Sequence, residues 1–140
     1  MDVVFRSAVE TDIAEVLDLW DVAAENDSRP ADDAAKLAAV IARDPEALEL
    51  AVVDGRVVGS LISGWDGWRA HLYRLAVHPS VRRQGIGREL LTRAERRLVA
   101  LGASRIDAMV LDNNELGQSL WIAEGFAKQP EWRRWVRPVG

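Results

Sequence analysis

Arg82, Gly85 and Gly87 stand in an R-x-x-G-x-G spacing within "AVHPSVRRQGIGRELL", residues 76–91. That spacing suits the capture of an anion. Glycines let a backbone curl tightly and let a phosphate approach the amides, because no side chain intervenes. A helix pattern starts directly after the turn, so its unpaired N–H groups and its dipole would point at the same anion. Arg82, Arg83 and Arg88 add positive charge nearby. Two better-known glycine signatures fail. A P-loop needs Lys-Ser/Thr after its last glycine, and Gly87 is followed by Arg88 and Glu89. A dinucleotide fingerprint needs a third glycine where this chain has Leu90. A plain strand-to-helix turn with solvated arginines fits the hexapeptide equally well.

Composition narrows the remaining chemistry. The chain has no cysteine, which excludes disulfides, thiolate metal sites and a cysteine nucleophile. Its two histidines, His71 and His78, make a histidine-rich zinc centre an unsuitable reading, and no metal is expected. The formal net charge of -4 argues against bulk binding of nucleic acid, although the glycine turn itself is locally basic. No apolar run approaches the roughly 20 residues of a membrane span. "MDVVFRSAVE" lacks the charged-then-apolar layout of a secretory leader. A cytoplasmic protein, off the membrane, is therefore expected.

The elements that must position the turn are readable from periodicity. The 140 residues fit one domain, 1–140, without repeats or linkers. "VVFRSAV" reads as a first strand. Asp12, with Glu15 three residues on, reads as the cap of a helix carrying Ile13, Val16, Leu17, Trp20 and Ala24. "NDSRPADD" interrupts that helix. Leu37, Val40 and Ile41 predict a second one, closed at Asp44-Pro45. "LELAVVDGRVVGSLIS" is a hairpin around Asp54-Gly55, and "GWDGW" is a further turn before the strand "HLYRLAV". Ile86, Leu90, Leu91, Ala94, Leu98 and Leu101 share a helix face that ends at Gly102. "RIDAMVL" predicts a strand, "NELGQSLWIAEG" a short helix closed by Gly125, and "EWRRWVRPV" a last strand. The order β-α-α-β-β-β-α-β-α-β predicts an α+β fold, a mixed sheet with helices on both faces.

Taken together, "LYRLAVHPSVRRQGIGRELLTRAERRL", "LGASRIDAMVLDNN" and "SLWIAEGF" resemble the GNAT superfamily of acetyl-CoA-dependent N-acetyltransferases. The resemblance covers most of the chain and is strongest from Gly64 to Phe126. It implies a mostly antiparallel sheet of six to seven strands, splayed in a V, with about four helices. It implies acetyl-CoA as cosubstrate, with its pyrophosphate on the amides of Arg83, Gln84, Gly85, Ile86, Gly87 and Arg88 and with Arg82 close by. The cofactor arm would run along Leu75, Ala76 and Val77. Asn114 falls where the family often has a cofactor-contacting asparagine. The family's usual acid is a tyrosine four residues before the late Gly-Phe pair, and here that position is Trp121, which has no proton to give. Trp121 would then pack beside the cofactor arm.

The resemblance also implies roles for other residues. Some relatives carry a glutamate on the strand before the glycine turn, and counting back without a gap puts His71 there. Histidine accepts a proton near neutral pH, directly or through water, and a strand histidine satisfied in a polar corner is the alternative. Tyr73 is the one tyrosine and shares a strand face with His71, as a donor to the same slot or as a core residue. The acceptor pocket would draw on Trp20, Asn26, Asp27, Asp66 and Arg69. Asp27, Asp32 and Asp33 make that region acidic, which suits a cationic amine and also suits a solvated helix surface. Trp65 and Trp68 would wall that site or cover a sheet edge. Trp132 and Trp135 would belong to the last strand or to an interface. Transfer of acetyl to a small amine, a protein N-terminus or a lysine is expected, from a monomer or homodimer. A non-catalytic acyl-CoA-binding module is the alternative that Trp121 raises.

Overall fold

The structure is a computed structural model and describes residues 1–23, 31–110 and 115–139. Five strands form one sheet in chain order: β1 (Val4–Ser7), β2 (Leu48–Val53), β3 (Arg56–Trp65), β4 (Ala70–Val77) and β5 (Ile106–Ala108). The first three pairings are antiparallel, and β4 and β5 run parallel. The β2–β3 hairpin turns at Asp54 and Gly55, whose φ values of 51° and 75° are those of a type I′ turn.

Helices α1 (Ile13–Ala23) and α2 (Ala34–Arg43) supply one hydrophobic cluster, with Val16, Leu19, Trp20 and Leu37 packed against Leu48, Leu50 and Ile62. Helices α3 (Ile86–Leu101) and α4 (Glu115–Ala123) supply a second, with Leu90, Leu98 and Trp121 against Leu61, Ala70 and Leu72. Residues from Val57 to Ser63 are all buried, because both faces of β3 are covered. The Asp33 side chain caps α2 by accepting from the N–H groups of Ala35 and Lys36 at 2.8 and 3.2 Å. Gly102, at φ 117°, ends α3.

Several sequence expectations are corrected. Among the described residues five strands stand where six to seven were expected. "EWRRWVRPV" forms no strand: Trp132 and Trp135 are 69% and 94% exposed. A strand needs a hydrogen-bonded neighbour and a period of two. Here the nearest edge, β5, is only three residues long. Trp132 and Trp135 are also three apart, so a regular strand would send them to opposite faces. Among the described residues "RIDAMVL" shortens to Ile106–Ala108, which pairs with Ala70 to Leu72. Leu101, in phase with the buried face of α3, is exposed at the helix's last position. Asp12 does not cap α1 directly. It accepts from the Val9 N–H at 2.8 Å and pairs with Arg6, at the head of a 3-10 turn that feeds α1. The Arg6 guanidinium holds the Asp12 carboxyl below its usual range. Glu15 instead accepts from the Val57 N–H on β3.

Candidate active site

The glycine turn leads from β4 into α3. His78 caps a short 3-10 turn, Pro79–Val81, by accepting from the Ser80 N–H. The backbone then passes through the left-handed region at Arg83 (φ 64°) and Gly85 (φ 79°), and α3 begins at Ile86. The Glu89 N–H is the first that the helix satisfies, by bonding the Gly85 carbonyl at 3.0 Å. The amides of Ile86, Gly87 and Arg88 have no acceptor within the helix. Gly87 is needed for space: a Cβ there would stand 3.1 Å from Leu120 Cδ2 and 3.6 Å from Val77 Cγ2. Arg82, Arg83 and Arg88 are exposed around this mouth. Arg82 Nε donates to the Val77 carbonyl at 3.4 Å, and Arg88 pairs with Glu124 on the loop after α4 at 3.2 Å.

The second component is the open edge of β4. Up to Tyr73 the strand is regular, with His71 opposite Gly64 and Tyr73 opposite Ile62. The Ser63 N–H bonds Ala47, so Ser63 faces β2, and its neighbours Ile62 and Gly64 turn their backbone groups to β4. His71 and Tyr73 therefore bond to β3. Then comes a bulge: the pairing shifts between Ser60 and Ile62, and Arg74 sits at φ 58°. The extra residue inverts the alternation. The His78 N–H bonds the Val58 carbonyl, so Ala76 also faces β3, while Leu75 and Val77 turn their amides and carbonyls the other way. On that side β5 pairs only Ala70 to Leu72. Among the described residues no strand pairs with β4 beyond Leu72 on that side, and Leu75 and Val77 line the cleft.

The third component is a side-chain cluster on the α1/α2 face. Leu72 packs towards α3, so the regular strand sends His71 and Tyr73 to the opposite face. Gly64 keeps room for the Tyr73 ring, which would lie 3.6 Å from a Cβ. Partial burial pushes the Tyr73 phenol above its usual range, so its O–H is retained well into alkaline conditions. Asp66 sits in the β3–β4 turn, where Oδ1 accepts from the N–H groups of Arg69 and Trp68 at 2.6 and 2.8 Å. Those backbone donors, with a smaller contribution from the nearby His71 and Arg69, hold its carboxyl below the ordinary value.

One cleft of ≈ 1670 Å³ joins these components. Among the residues singled out by sequence, His71, Tyr73, Leu75, Val77, Arg82, Arg83, Gly85, Ile86, Gly87, Arg88, Asp66 and Trp121 line it. Trp121 is buried in α4 and meets Phe126 edge to face, with ring centroids 5.0 Å apart. Four others stand apart from it. Trp20 is buried in the core, where its indole N–H bonds Ser60. Ala76 turns its main chain to β3 and its methyl into the α1/α2 cluster. Gln84 and Arg69 are exposed outside the cleft. Asn26, Asp27 and Asn114 lie outside the described residues. The sequence reading missed Arg74, which also lines the cleft, over the Trp20 ring at 5.4 Å and 3.5 Å from Asp32. Its signal was a lone charge within "LYRLAV". Arg133 and Arg134, read as part of a strand, line the cleft as well.

Comparison with known proteins agrees with this geometry. A 72-residue stretch is 42% identical to an acetyltransferase of Pectobacterium atrosepticum, and the match covers 51% of each chain. The chain thus aligns with about half the length of the curated relatives it matches. The fold is similar to that of Ard1 from Thermoplasma volcanium, with a TM-score of 0.79 and 19% identity over 91% of this chain and 84% of that one. It is also similar to the PaiA N-acetyltransferase of Thermoplasma acidophilum, solved in complex with coenzyme A. There the TM-score is 0.78, with 18% identity over 92% of both chains. The profile of the Acetyltransferase (GNAT) family matches residues 13–126, a span that holds the glycine turn and the bulged strand, and the chain belongs to the GNAT family of acetyltransferases.

Proposed function

We propose that this protein is an acetyl-CoA-dependent N-acetyltransferase that transfers acetyl directly to a primary amine. The observation that carries the reading is the single cleft. It connects a helix N-terminus with free amides, an unpaired strand edge, and the His71–Tyr73 face. The residues present fit coenzyme A. The amides of Ile86, Gly87 and Arg88 would hold its pyrophosphate, with Arg82 and Arg83 beside them, and the Leu75 and Val77 main chain would hold the pantetheine arm and the acetyl carbonyl. PaiA, of the same fold, was solved with coenzyme A.

When bound, acetyl-CoA would supply the thioester from which the acetyl group leaves. Every other role falls to this chain. The acceptor amine must be neutral to attack, and in forming the amide it must lose a proton. His71, facing the cleft, takes that proton directly or through a water. The departing thiolate needs a proton in return, and Tyr73, which keeps its O–H, supplies it. Amides turned towards the acetyl carbonyl stabilise the oxyanion that develops there. Trp121 shapes the slot without moving a proton, because indole is a donor only and does not titrate. Asp66 fixes the turn at the acceptor end. No helix among the described residues is long and apolar enough to cross a membrane. Residues 1–140 would act as one cytoplasmic domain on a small amine, a protein N-terminus or a lysine.

The test is release of free thiol from acetyl-CoA across an amine panel, with mass detection of the acetylated product. Acetylated product that depends on both acetyl-CoA and an amine supports the reading. Coenzyme A binding without turnover on any amine would make the protein a non-catalytic acyl-CoA module.

A further inference from the structure

We propose that Ser60 is a positioning residue for acetyl transfer: through one hydroxyl it holds the β4 bulge that turns the Leu75 and Val77 main chain into the cleft. This inference rests on the proposed transferase reading. Ser60 is wholly buried in β3, within the apolar run "VVGSLIS". A hydroxyl there costs stability unless both its donor and its acceptor capacity are used. Ser60 uses both. Its oxygen accepts from the Trp20 indole N–H at 2.8 Å, and its O–H donates to the Arg74 carbonyl at 2.8 Å.

That carbonyl belongs to the residue that makes the bulge. At φ 58° Arg74 occupies a region that side chains other than glycine's enter only at a cost. The twist turns its carbonyl towards Ser60, whose hydroxyl donates to it. The Arg74 guanidinium lies over the same Trp20 ring whose N–H bonds Ser60, so one ring and one hydroxyl grip the bulge from both ends. The consequence lies a few residues downstream. Without the extra residue, the alternation that points His71 and Tyr73 towards β3 would continue to Leu75 and Val77. Their amides would then be used up inside the sheet. Ser60 touches neither reactant in this arrangement, and it acts through the Arg74 backbone.

Ser60→Ala removes the hydroxyl and little volume. The glycine turn lies at the far end of β4 and keeps its phosphate contacts, so coenzyme A affinity should fall by about tenfold at most, the share of the pantetheine contacts at Leu75 and Val77. The acetyl carbonyl loses its fixed donors, so kcat at saturating substrates should fall about 10–100-fold, the size expected for a small misplacement of reacting groups. Ser60→Thr keeps the hydroxyl and should recover most of that loss. Trp20→Phe keeps an aromatic ring near Arg74 and gives up the indole donor and some buried volume, so it should fold with lower stability and show a smaller fall in kcat. A folded Ser60→Ala protein with wild-type kcat overturns the proposal. If Ser60→Ala fails to fold and Trp20→Phe has wild-type kcat, the hydroxyl is structural only and the proposal is again overturned. Wild-type protein that binds coenzyme A and acetylates no amine defeats the transferase reading instead, before any variant is compared.

Discussion

At the α3 end of the cleft the working groups are main-chain amides, whereas at the β3–β4 end they are side chains and a strand distortion. The α3 end needs only a strand that stops, two glycines and a helix that starts. Those requirements are local, and Gly85 and Gly87 meet them within a few residues. The β3–β4 end brings together Ser60, the bulge at Arg74, His71 and Tyr73, with Trp20 behind them from α1. Its geometry exists only when three distant segments are packed. Backbone binding tolerates many neighbouring side chains, while the chemistry at the other end hangs on individual ones. Changes at the two ends should therefore be separable, one set altering affinity and the other turnover.

The largest expected effect tests that separation at His71. His71→Ala should lower kcat about 10²–10⁴-fold, the range typical of general acid–base help. Coenzyme A affinity by calorimetry should stay near wild type. If affinity and turnover fell together, the two ends would be one cooperative unit and the comparison would break.

Gly87→Glu should do the reverse. The new Cβ starts 3.1 Å from Leu120, and a carboxylate would then stand beside the free amides. Overpacking of this kind costs about 1–3 kcal/mol, which corresponds to about 10–100-fold in coenzyme A affinity if it falls on binding. Thermal unfolding of the same variant separates lost binding from lost folding. Unchanged affinity would show that the turn is not where the anion sits.

Tyr73→Phe should be milder, with a fall in kcat of about tenfold, below the usual range of acid help because water can stand in for a lost donor. The sign of its pH dependence follows from burial. The phenol is raised above its usual range, so it stays protonated, and wild-type kcat should remain flat until pH exceeds the ordinary tyrosine value of about 10. An alkaline fall that starts well below that value, and persists in Tyr73→Phe, would remove Tyr73 from the proton path.

The same contrast explains what was legible in the sequence. The turn was readable because glycine spacing and helix periodicity are local signals. Asp54-Gly55 and Gly102 were readable for the same reason. The bulge was not, because "LYRLAV" has no glycine where the backbone turns left-handed, and an arginine holds that place through contacts from α1 and β3. Ala76 was therefore expected on the cofactor, although the shifted alternation puts it in the core. Trp20 was expected in the acceptor pocket because an aromatic residue on an early helix suits a pocket wall. Its burial depends on β3, 40 residues away. The last strand failed because its pattern of paired arginines and tryptophans three apart lacks a period of two, and because β5 offers too short an edge.

The smallest expected effect concerns Trp121, which belongs to neither end and lies between them on α4. It is buried against Phe126 and lines the cleft beside Leu120. If it only shapes the slot, Trp121→Phe keeps an aromatic wall and gives up the indole N–H and some volume. Such near-conservative swaps usually cost less than about 1.5 kcal/mol of stability, and a side chain that meets no reacting group passes little of that on, so kcat should change by less than about tenfold. Trp121→Tyr adds a phenol where the family's usual acid stands. If Tyr73 already delivers the proton, that phenol is redundant and turnover should match Trp121→Phe. If proton delivery limits the wild type, Trp121→Tyr should be the faster of the two, and a double variant with Tyr73→Phe should keep that gain. A collapse of kcat in both single variants, with folding and coenzyme A affinity intact, would mean that the indole itself meets the acceptor, and Trp121 would then join the side-chain end of the cleft.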